Sequence, residues 1–178
     1  LRLTLRRLPE RVKRNVVLLT RGREGNGIGR YSGIRTRHLG FVTEEESRAK
    51  AYVASDLFVM TSRAAMTANV ITESLACGTP VVAFAVGGVP EAVRPNITGD
   101  LADPGDVEAL ARRIASLLGD EVRLQAMRDR CRDVAVREYA LDLQVDRHIG
   151  VYMSLLGREY PTAIEDARPQ EARAVPAA

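Results

Sequence analysis

The strongest constraint on the fold of this chain is that short apolar segments of strand length alternate with longer segments of helical periodicity. The clearest apolar segments are Asn15–Thr20, Asp56–Thr61 and Pro80–Phe84. Short continuous apolar strands of this kind are typical of a parallel sheet that is buried on both faces. Because the strands alternate with helices, the sequence predicts an α/β layer fold with a parallel sheet.

Capping and turn residues set the limits of the other elements. Thr43 is predicted to cap a helix, with Glu46 completing a capping box. Gly78 occupies the place where a left-handed residue ends a helix, and Pro90 is placed to open a short one. Asp106 is predicted to cap the helix that follows it. The prediction comprises strands at Asn15–Thr20, His38–Val42, Asp56–Thr61 and Pro80–Phe84, an extended piece at Thr98–Leu101, and helices over 2–13, 43–55, 69–77, 106–118, 121–138 and 141–156.

The chain has 178 residues, which is enough for one domain with its own core. Tryptophan is absent and aromatic residues make up only 4%, so the core must be built from Val, Leu, Ile and Ala. We predict one domain over residues 1–157. The segment 158–178 is rich in Pro, Ala and charged residues, and it is predicted to be a disordered tail.

Composition argues against several classes of partner. The net charge is +3 and the arginines are scattered, which does not favour a nucleic-acid partner. The two cysteines, Cys77 and Cys131, suggest neither a disulfide framework nor a metal site. Without an Asp-x-Asp cluster we expect no metal and no cofactor. No apolar run reaches the length of a membrane span, so we expect a cytoplasmic protein, with peripheral membrane contact only through a longer full-length protein.

A ligand is expected at the loops that follow the carboxyl ends of the strands. The loop after the strand Asp56–Thr61 leads into a helix at Asn69, whose first amides lack internal acceptors and attract a phosphate. Glu73, one turn later, can accept hydrogen bonds from sugar hydroxyls, or it can simply pair with a nearby arginine. The turn Gly87-Gly88 is either a second place where amides meet an anion or a plain turn.

Several ordered motifs resemble those of a known family, the group 1 retaining glycosyltransferases of GT-B fold. The resemblance is to their C-terminal donor-binding domain, and it covers about residues 38–156. It implies a Rossmann-like parallel sheet with flanking helices, the C-terminal half of a GT-B fold, incomplete at the N-terminus. The stretches His38–Val42 and Ala54–Val59 match the family's "LGFV" and "AADLFV" elements. Thr72–Ala83 matches the family consensus around its second glutamate. Val86–Glu91 matches "GGIPE", and the segment from Thr98 to Asp106 matches the stretch that follows.

This resemblance implies a nucleotide-sugar-binding site. Glu73 matches the second glutamate of the family's Glu-x7-Glu motif, which binds the ribose. The segment Ala68, Asn69 and Val70 matches the part that holds the phosphates and the sugar. Two loops complete the implied site: Gly40, Phe41 and Val42 flank the base, and Gly87 and Gly88 lie near the same cleft.

The resemblance further implies a reaction and a partner. The donor is a nucleoside diphosphate sugar, and the sugar passes to an acceptor with retention at the anomeric carbon. The acceptor-binding N-terminal domain is expected as a partner, in cis or in trans, because only a short segment precedes the strand Asn15–Thr20. The cations that face the diphosphate in the family are not assigned in this chain.

One departure from the pattern concerns catalysis. The first glutamate of Glu-x7-Glu falls on Ala65, which cannot accept a hydrogen bond, so the catalytic group is unknown. The alternative is therefore a catalytically degenerate nucleotide-binding or interaction module, which can also use the apolar face of the helix 141–156. A third and weaker reading is a related sugar-nucleotide epimerase.

Overall fold

The computed structural model describes residues 1–22, 28, 32–65 and 69–158. The chain forms two compact units, Leu1–Ala135 and Val136–Ala178. Within these described ranges there are five strands, and all of them belong to the first unit. They are β1 Val17–Thr20, β2 Arg35–His38, β3 Phe58–Met60, β4 Val81–Phe84 and β5 Gly99–Ala102.

Helices alternate with the strands from β2 onward. Two short helices precede β1, and one helix lies between β2 and β3, one between β3 and β4, and one between β4 and β5. The helices are α1 Arg2–Arg7, α2 Glu10–Asn15, α3 Glu45–Val53, α4 Asn69–Ala76, α5 Val89–Ala92, α6 Val107–Leu118, α7 Glu121–Tyr139 and α8 Leu141–Leu155.

The strand pairing is parallel throughout, which confirms the predicted α/β fold. The hydrogen bonds form two sheets, however: β1 pairs with β2, and β3, β4 and β5 pair in that order. In the second sheet Phe58 lies beside Val81, and Val81 lies beside Gly99. A Cβ atom on Gly99 would overlap the carbonyl oxygen of Val81, which explains the need for glycine there.

The core of the first unit is centred on β4. Every residue of this strand is buried, as a central parallel strand requires. Helix α6 packs against β4 and β5 and buries Leu110 and Leu117 completely. Asp106 caps α6 by accepting a 2.7 Å hydrogen bond from the Ala109 amide, as the sequence predicts. The capping role is thus confirmed.

Two predicted elements near the N-terminus are wrong. The helix predicted over 2–13 is broken into α1 and α2, because Pro9 lacks an N–H group and forces extended backbone on Leu8 (φ −62°, ψ 141°). The strand predicted at His38–Val42 lies instead at Arg35–His38. Gly40 has φ +71°, which no strand accommodates, so the chain leaves the sheet at this point.

The predicted capping box at Thr43 is also absent. Helix α3 begins at Glu45, and the side chain of its N-cap residue Glu44 caps no backbone amide of the helix but accepts a 3.0 Å hydrogen bond from the hydroxyl of Ser47. Glu46 pairs with Lys50 at 2.7 Å, one turn further along the helix. The predicted helix ends elsewhere hold better: Gly78 is left-handed with φ +71°, and Pro90 lies in the first turn of α5.

The second unit carries the last residues of α7 and the whole of α8. Helix α8 exposes apolar side chains, among them Val145, Tyr152 and Leu155. The tail predicted to be disordered lies outside the described residues from 159 onward. In the part of the chain that the structure describes, no helix combines the length and the apolar character that a membrane crossing requires.

Candidate functional site

The loops after β3, β4 and β5 line an open cleft at the carboxyl edge of the second sheet. This is the edge where open parallel sheets bind ligands. The cleft has a volume of about 690 Å³. Its lining comprises Arg63, Ala64, Ala65, Ala85, Val86, Gly87 and Pro104.

Two positions singled out by the sequence meet in this cleft. Ala65 comes from the loop after β3, and Gly87 comes from the loop after β4. Among the described lining residues Arg63 alone carries a charge. The cleft therefore offers a ligand one guanidinium group and apolar surface, but no carboxylate at the position of Ala65.

The turn at Gly87 needs a glycine because its φ is +51°, in the left-handed region. Gly88 then serves as the N-cap residue of α5, and Val89 is buried beneath it. Gly87 itself is exposed to solvent. The backbone is thus open to a ligand, which the anion-binding interpretation of this turn requires and a plain turn equally allows.

Glu73 is engaged by three side chains. Its Oε2 atom accepts a 3.1 Å hydrogen bond from the hydroxyl of Tyr52 and lies 3.6 Å from Nη2 of Arg21. Its Oε1 atom lies 3.6 Å from Nη1 of Arg48. The side chain remains 34% exposed. The arginine pairing that the sequence left open is therefore present, and part of the carboxylate still faces solvent.

Tyr52 is the buried centre of this group, which we call the Glu73 cluster (Arg21, Arg48, Tyr52 and Glu73). Only 7% of Tyr52 is exposed, and its hydroxyl accepts a 3.2 Å hydrogen bond from Arg21. The Arg21 guanidinium also lies 5.5 Å from the centre of the ring, a cation–π distance. Burial raises the pKa of Tyr52 to about 12, although Arg21 acts in the opposite direction.

Sequence reasoning did not single out Arg21, Arg48 or Tyr52. Arg21 directly follows the last residue of β1, and Arg48 lies in the first turn of α3 after β2. Both positions follow the carboxyl end of a strand, and that signal was available in the sequence. Their contact with Glu73, on α4, depends on how the two helices and the loop come together.

The loop predicted to flank a base lies next to Arg21. Gly22 donates a 2.8 Å hydrogen bond to the carbonyl of Gly40, and Leu39 donates one of the same length to Thr20. Phe41 is 73% exposed, so its ring is available to a planar ligand. Val42 is half-buried.

The remaining predicted phosphate-binding residues open α4. Asn69 is exposed, its carbonyl accepts a hydrogen bond from Thr72, and Val70 is half-buried. Ala68 lies outside the described residues. In the described ranges, no three His, Cys, Asp or Glu side chains are placed so that they could share a metal ion.

The family of group 1 glycosyl transferases has a sequence model that matches residues 1–120. The chain is 40% identical over 112 residues to D-inositol 3-phosphate glycosyltransferase 1 of Catenulispora acidiphila, a match that covers 62% of this chain and 27% of that protein. It is 28% identical over 116 residues to N-acetyl-alpha-D-glucosaminyl L-malate synthase of Bacillus anthracis, covering 65% of this chain and 30% of that protein. The chain thus spans less than a third of the length of either relative.

The fold has counterparts among solved structures. HepE of Anabaena, solved in complex with UDP, matches with a TM-score of 0.71 and 24% identity. The match covers 86% of this chain and 44% of that one. The chain therefore has the fold of a part of that longer chain, which corresponds to a partial GT-B fold.

Proposed function

Because the chain belongs to the group 1 glycosyl transferase family, we propose that it is the donor-binding part of a glycosyltransferase. The donor is a nucleoside diphosphate sugar, and the sugar passes to an acceptor with retention at the anomeric carbon. The observation that carries the proposal is the position of Glu73, which is partly exposed on α4 beside Arg21, the residue that follows the carboxyl end of β1. The UDP bound to HepE supports the same donor class.

Glu73 is suited to bind the two hydroxyl groups of a ribose. A carboxylate has about four acceptor sites, and Tyr52 occupies one of them by a hydrogen bond. The two arginines hold the carboxylate from either side at 3.6 Å. The carboxylate is thus fixed in orientation before the ligand arrives, which lowers the entropic cost of binding.

The cleft beside Gly87 would receive the sugar and the phosphates. Glu73 does not line this cleft. It lies on α4, the helix that follows the loop of the lining residue Ala65. The acceptor would be held by a second domain, which would close over the cleft, exclude water and align the reactants.

Calorimetric titration of the chain with UDP, GDP and ADP tests the proposal. We expect one of the three to bind, and Glu73→Gln to weaken that binding at least about tenfold, since it removes a charged acceptor. Glu45→Gln is the matched control, because Glu45 is an exposed acid on α3. Absence of binding to all three nucleotides would refute the proposal for this chain.

A second candidate, a nucleotide-binding module without catalysis, is favoured by Ala65. This residue lines the cleft and offers no side-chain acceptor. One measurement distinguishes the two candidates: whether a bound nucleoside diphosphate sugar releases its diphosphate when an acceptor domain and an acceptor are present. Binding without any release would favour the module.

A further inference from the structure

A second cavity lies where the corner between α1 and α2 faces α6, and we call it the α6 pocket. It has a volume of about 290 Å³ and shares no lining residue with the cleft beside Gly87. Its polar side chains are Arg7, Arg11, Arg112 and Ser116. None of these residues takes part in the donor binding proposed above, so the pocket is a separate feature of the chain.

The α6 pocket carries an excess of positive charge. Its polar side chains can all donate hydrogen bonds, and no acidic side chain lines it. Arg7 pairs with Glu108 at 2.9 Å. Arg11 and Arg112 are exposed, and no carboxylate in the described ranges lies within ion-pair distance of either one. A concave site lined by charges of one sign concentrates ions of the opposite sign, so the pocket favours an anion.

The fold holds the backbone around this pocket in place. Helix α1 packs against α6, and Leu5 of α1 is buried. At the corner between α1 and α2, Nζ of Lys13 donates a 3.0 Å hydrogen bond to the carbonyl of Arg6. The guanidinium groups therefore extend from a backbone that is already ordered, which lowers the entropic cost of binding a ligand between them.

The shape of the pocket favours a compact ligand with several acceptor oxygens. Ala111 and Ala115 also line it, and their small side chains leave space beside the arginines. Arg112 and Ser116 are four residues apart on α6, so they lie on the same face of the helix. A guanidinium is a planar fork that binds phosphate through two parallel hydrogen bonds. The volume lies at the lower end of the range for ligand clefts, about 300–1,000 Å³, which suits a small molecule.

We propose that the α6 pocket binds the phosphate group of a small phosphate ester, at a site separate from the donor cleft. Arg11 and Arg112 supply the unpaired guanidinium groups, Arg7 adds a third cation, and Ser116 donates a hydrogen bond from its hydroxyl. The bound phosphate joins α2 to α6. The phosphate belongs either to a soluble ester or to a phospholipid headgroup, and the alternative to both is a solvated basic surface without a ligand.

The test is a titration of the whole chain with inorganic phosphate, followed by nuclear magnetic resonance. The amide signals of Ala111, Ala115 and Ser116 report on the pocket itself. We expect these signals to shift and saturate with phosphate, and sodium chloride at equal ionic strength to leave them unchanged. Arg112→Gln should weaken phosphate binding roughly fivefold or more, since a charge-assisted bidentate contact is lost.

Two further variants keep the result decisive. Arg11→Gln should weaken phosphate binding to a similar extent, and it replaces Arg112→Gln if that variant fails to fold. Arg37→Gln is the matched control, because it removes the same charge from an exposed position on β2, outside the pocket. Its affinity for phosphate should equal that of the wild type.

Co-sedimentation with vesicles distinguishes the two sources of the phosphate. Binding to phosphatidylcholine vesicles that requires both added phosphatidic acid and Arg112 assigns the pocket to a lipid headgroup. Saturable binding of inorganic phosphate without such co-sedimentation assigns it to a soluble ester.

The remaining outcomes overturn the site or separate it from the proposed function. Shifts that chloride reproduces, an equal loss in Arg37→Gln, or the absence of both phosphate shifts and vesicle binding overturns the phosphate site. If UDP, GDP and ADP all fail to bind while phosphate still titrates the pocket, the donor-binding proposal fails and the phosphate site stands.

Discussion

The hydroxyl of Tyr52 donates a 3.1 Å hydrogen bond to Glu73, and the same hydroxyl accepts one from Arg21. A residue of α3 thereby links the loop after β1 to the first turns of α4. The backbone carbonyl of Tyr52 also accepts a 2.8 Å hydrogen bond from Thr79. Tyr52 therefore connects the two sheets on the side where the ligand is expected.

The substitution Tyr52→Phe should weaken both nucleotide binding and the stability of the fold. It removes the hydrogen bonds to Glu73 and Arg21 but keeps the ring, which packs edge-on against Phe58 with centroids 5.6 Å apart. We expect a stability loss of about 1 kcal/mol and a several-fold loss of affinity. Urea denaturation and calorimetry measure the two effects. The control is Tyr152→Phe, since Tyr152 is 61% exposed on α8. Unchanged affinity in Tyr52→Phe would show that Glu73 needs no positioning.

The raised pKa of Tyr52 makes stability depend on alkaline pH. The unfolded chain loses this proton near pH 10, whereas burial holds the folded pKa at about 12. The contribution is therefore complete below pH 10 and is lost as the pH rises towards 12. Over this pH range we expect the free energy of unfolding of the wild type to fall by up to about 2 kcal/mol more than that of Tyr52→Phe. Denaturant titrations of both proteins across these pH values measure the difference, and parallel curves would contradict it.

Restoring a carboxylate at position 65 tests the role of the cleft. Ala65 lines the cleft together with Arg63 and Gly87. In Ala65→Glu the new carboxylate could accept hydrogen bonds from a donor sugar. We expect the variant to bind the glucose conjugate of the nucleoside diphosphate that binds roughly tenfold more tightly than the free diphosphate, since a charged hydrogen bond contributes about 1.5–3 kcal/mol. The wild type should bind the two ligands with similar affinity. Ala64→Glu is the matched control, and an equal gain in both variants would count against a specific sugar contact.

Asp100, a buried carboxylate on β5, is expected to stabilise the fold through its ion pairs. Its Oδ2 atom lies 3.2 Å from Arg123 and 3.5 Å from Arg113, and its side chain is 3% exposed. Asp100→Asn keeps the shape but removes the charge that both arginines face. We expect the free energy of unfolding to fall by about 1–3 kcal/mol. This is less than breaking a fully buried ion pair would cost, because Arg113 is half exposed. Thermal or urea unfolding measures it, with the exposed Asp103→Asn as control. An equal change in both variants would refute the ion-pair explanation.

Local signals in the sequence were sufficient for much of the fold. The apolar run at β4, the cap at Asp106 and the left-handed Gly78 depend on neighbours along the chain, and the structure confirms all three. Where a local signal was overlooked, the prediction failed. Pro9 breaks the N-terminal helix, and Gly40 ends β2 four residues before the predicted limit at Val42.

The sequence by itself determined the family and the alternation of strands and helices, and it predicted the positions of Glu73 and Ala65 in a donor-binding site. These follow from residue order, hydrophobic period and turn chemistry, which act over a few residues. Only the tertiary structure decided which side chains surround Glu73. Arg21, Arg48 and Tyr52 come from separate elements, and they meet because parallel strands bring the loops at their carboxyl ends to one edge.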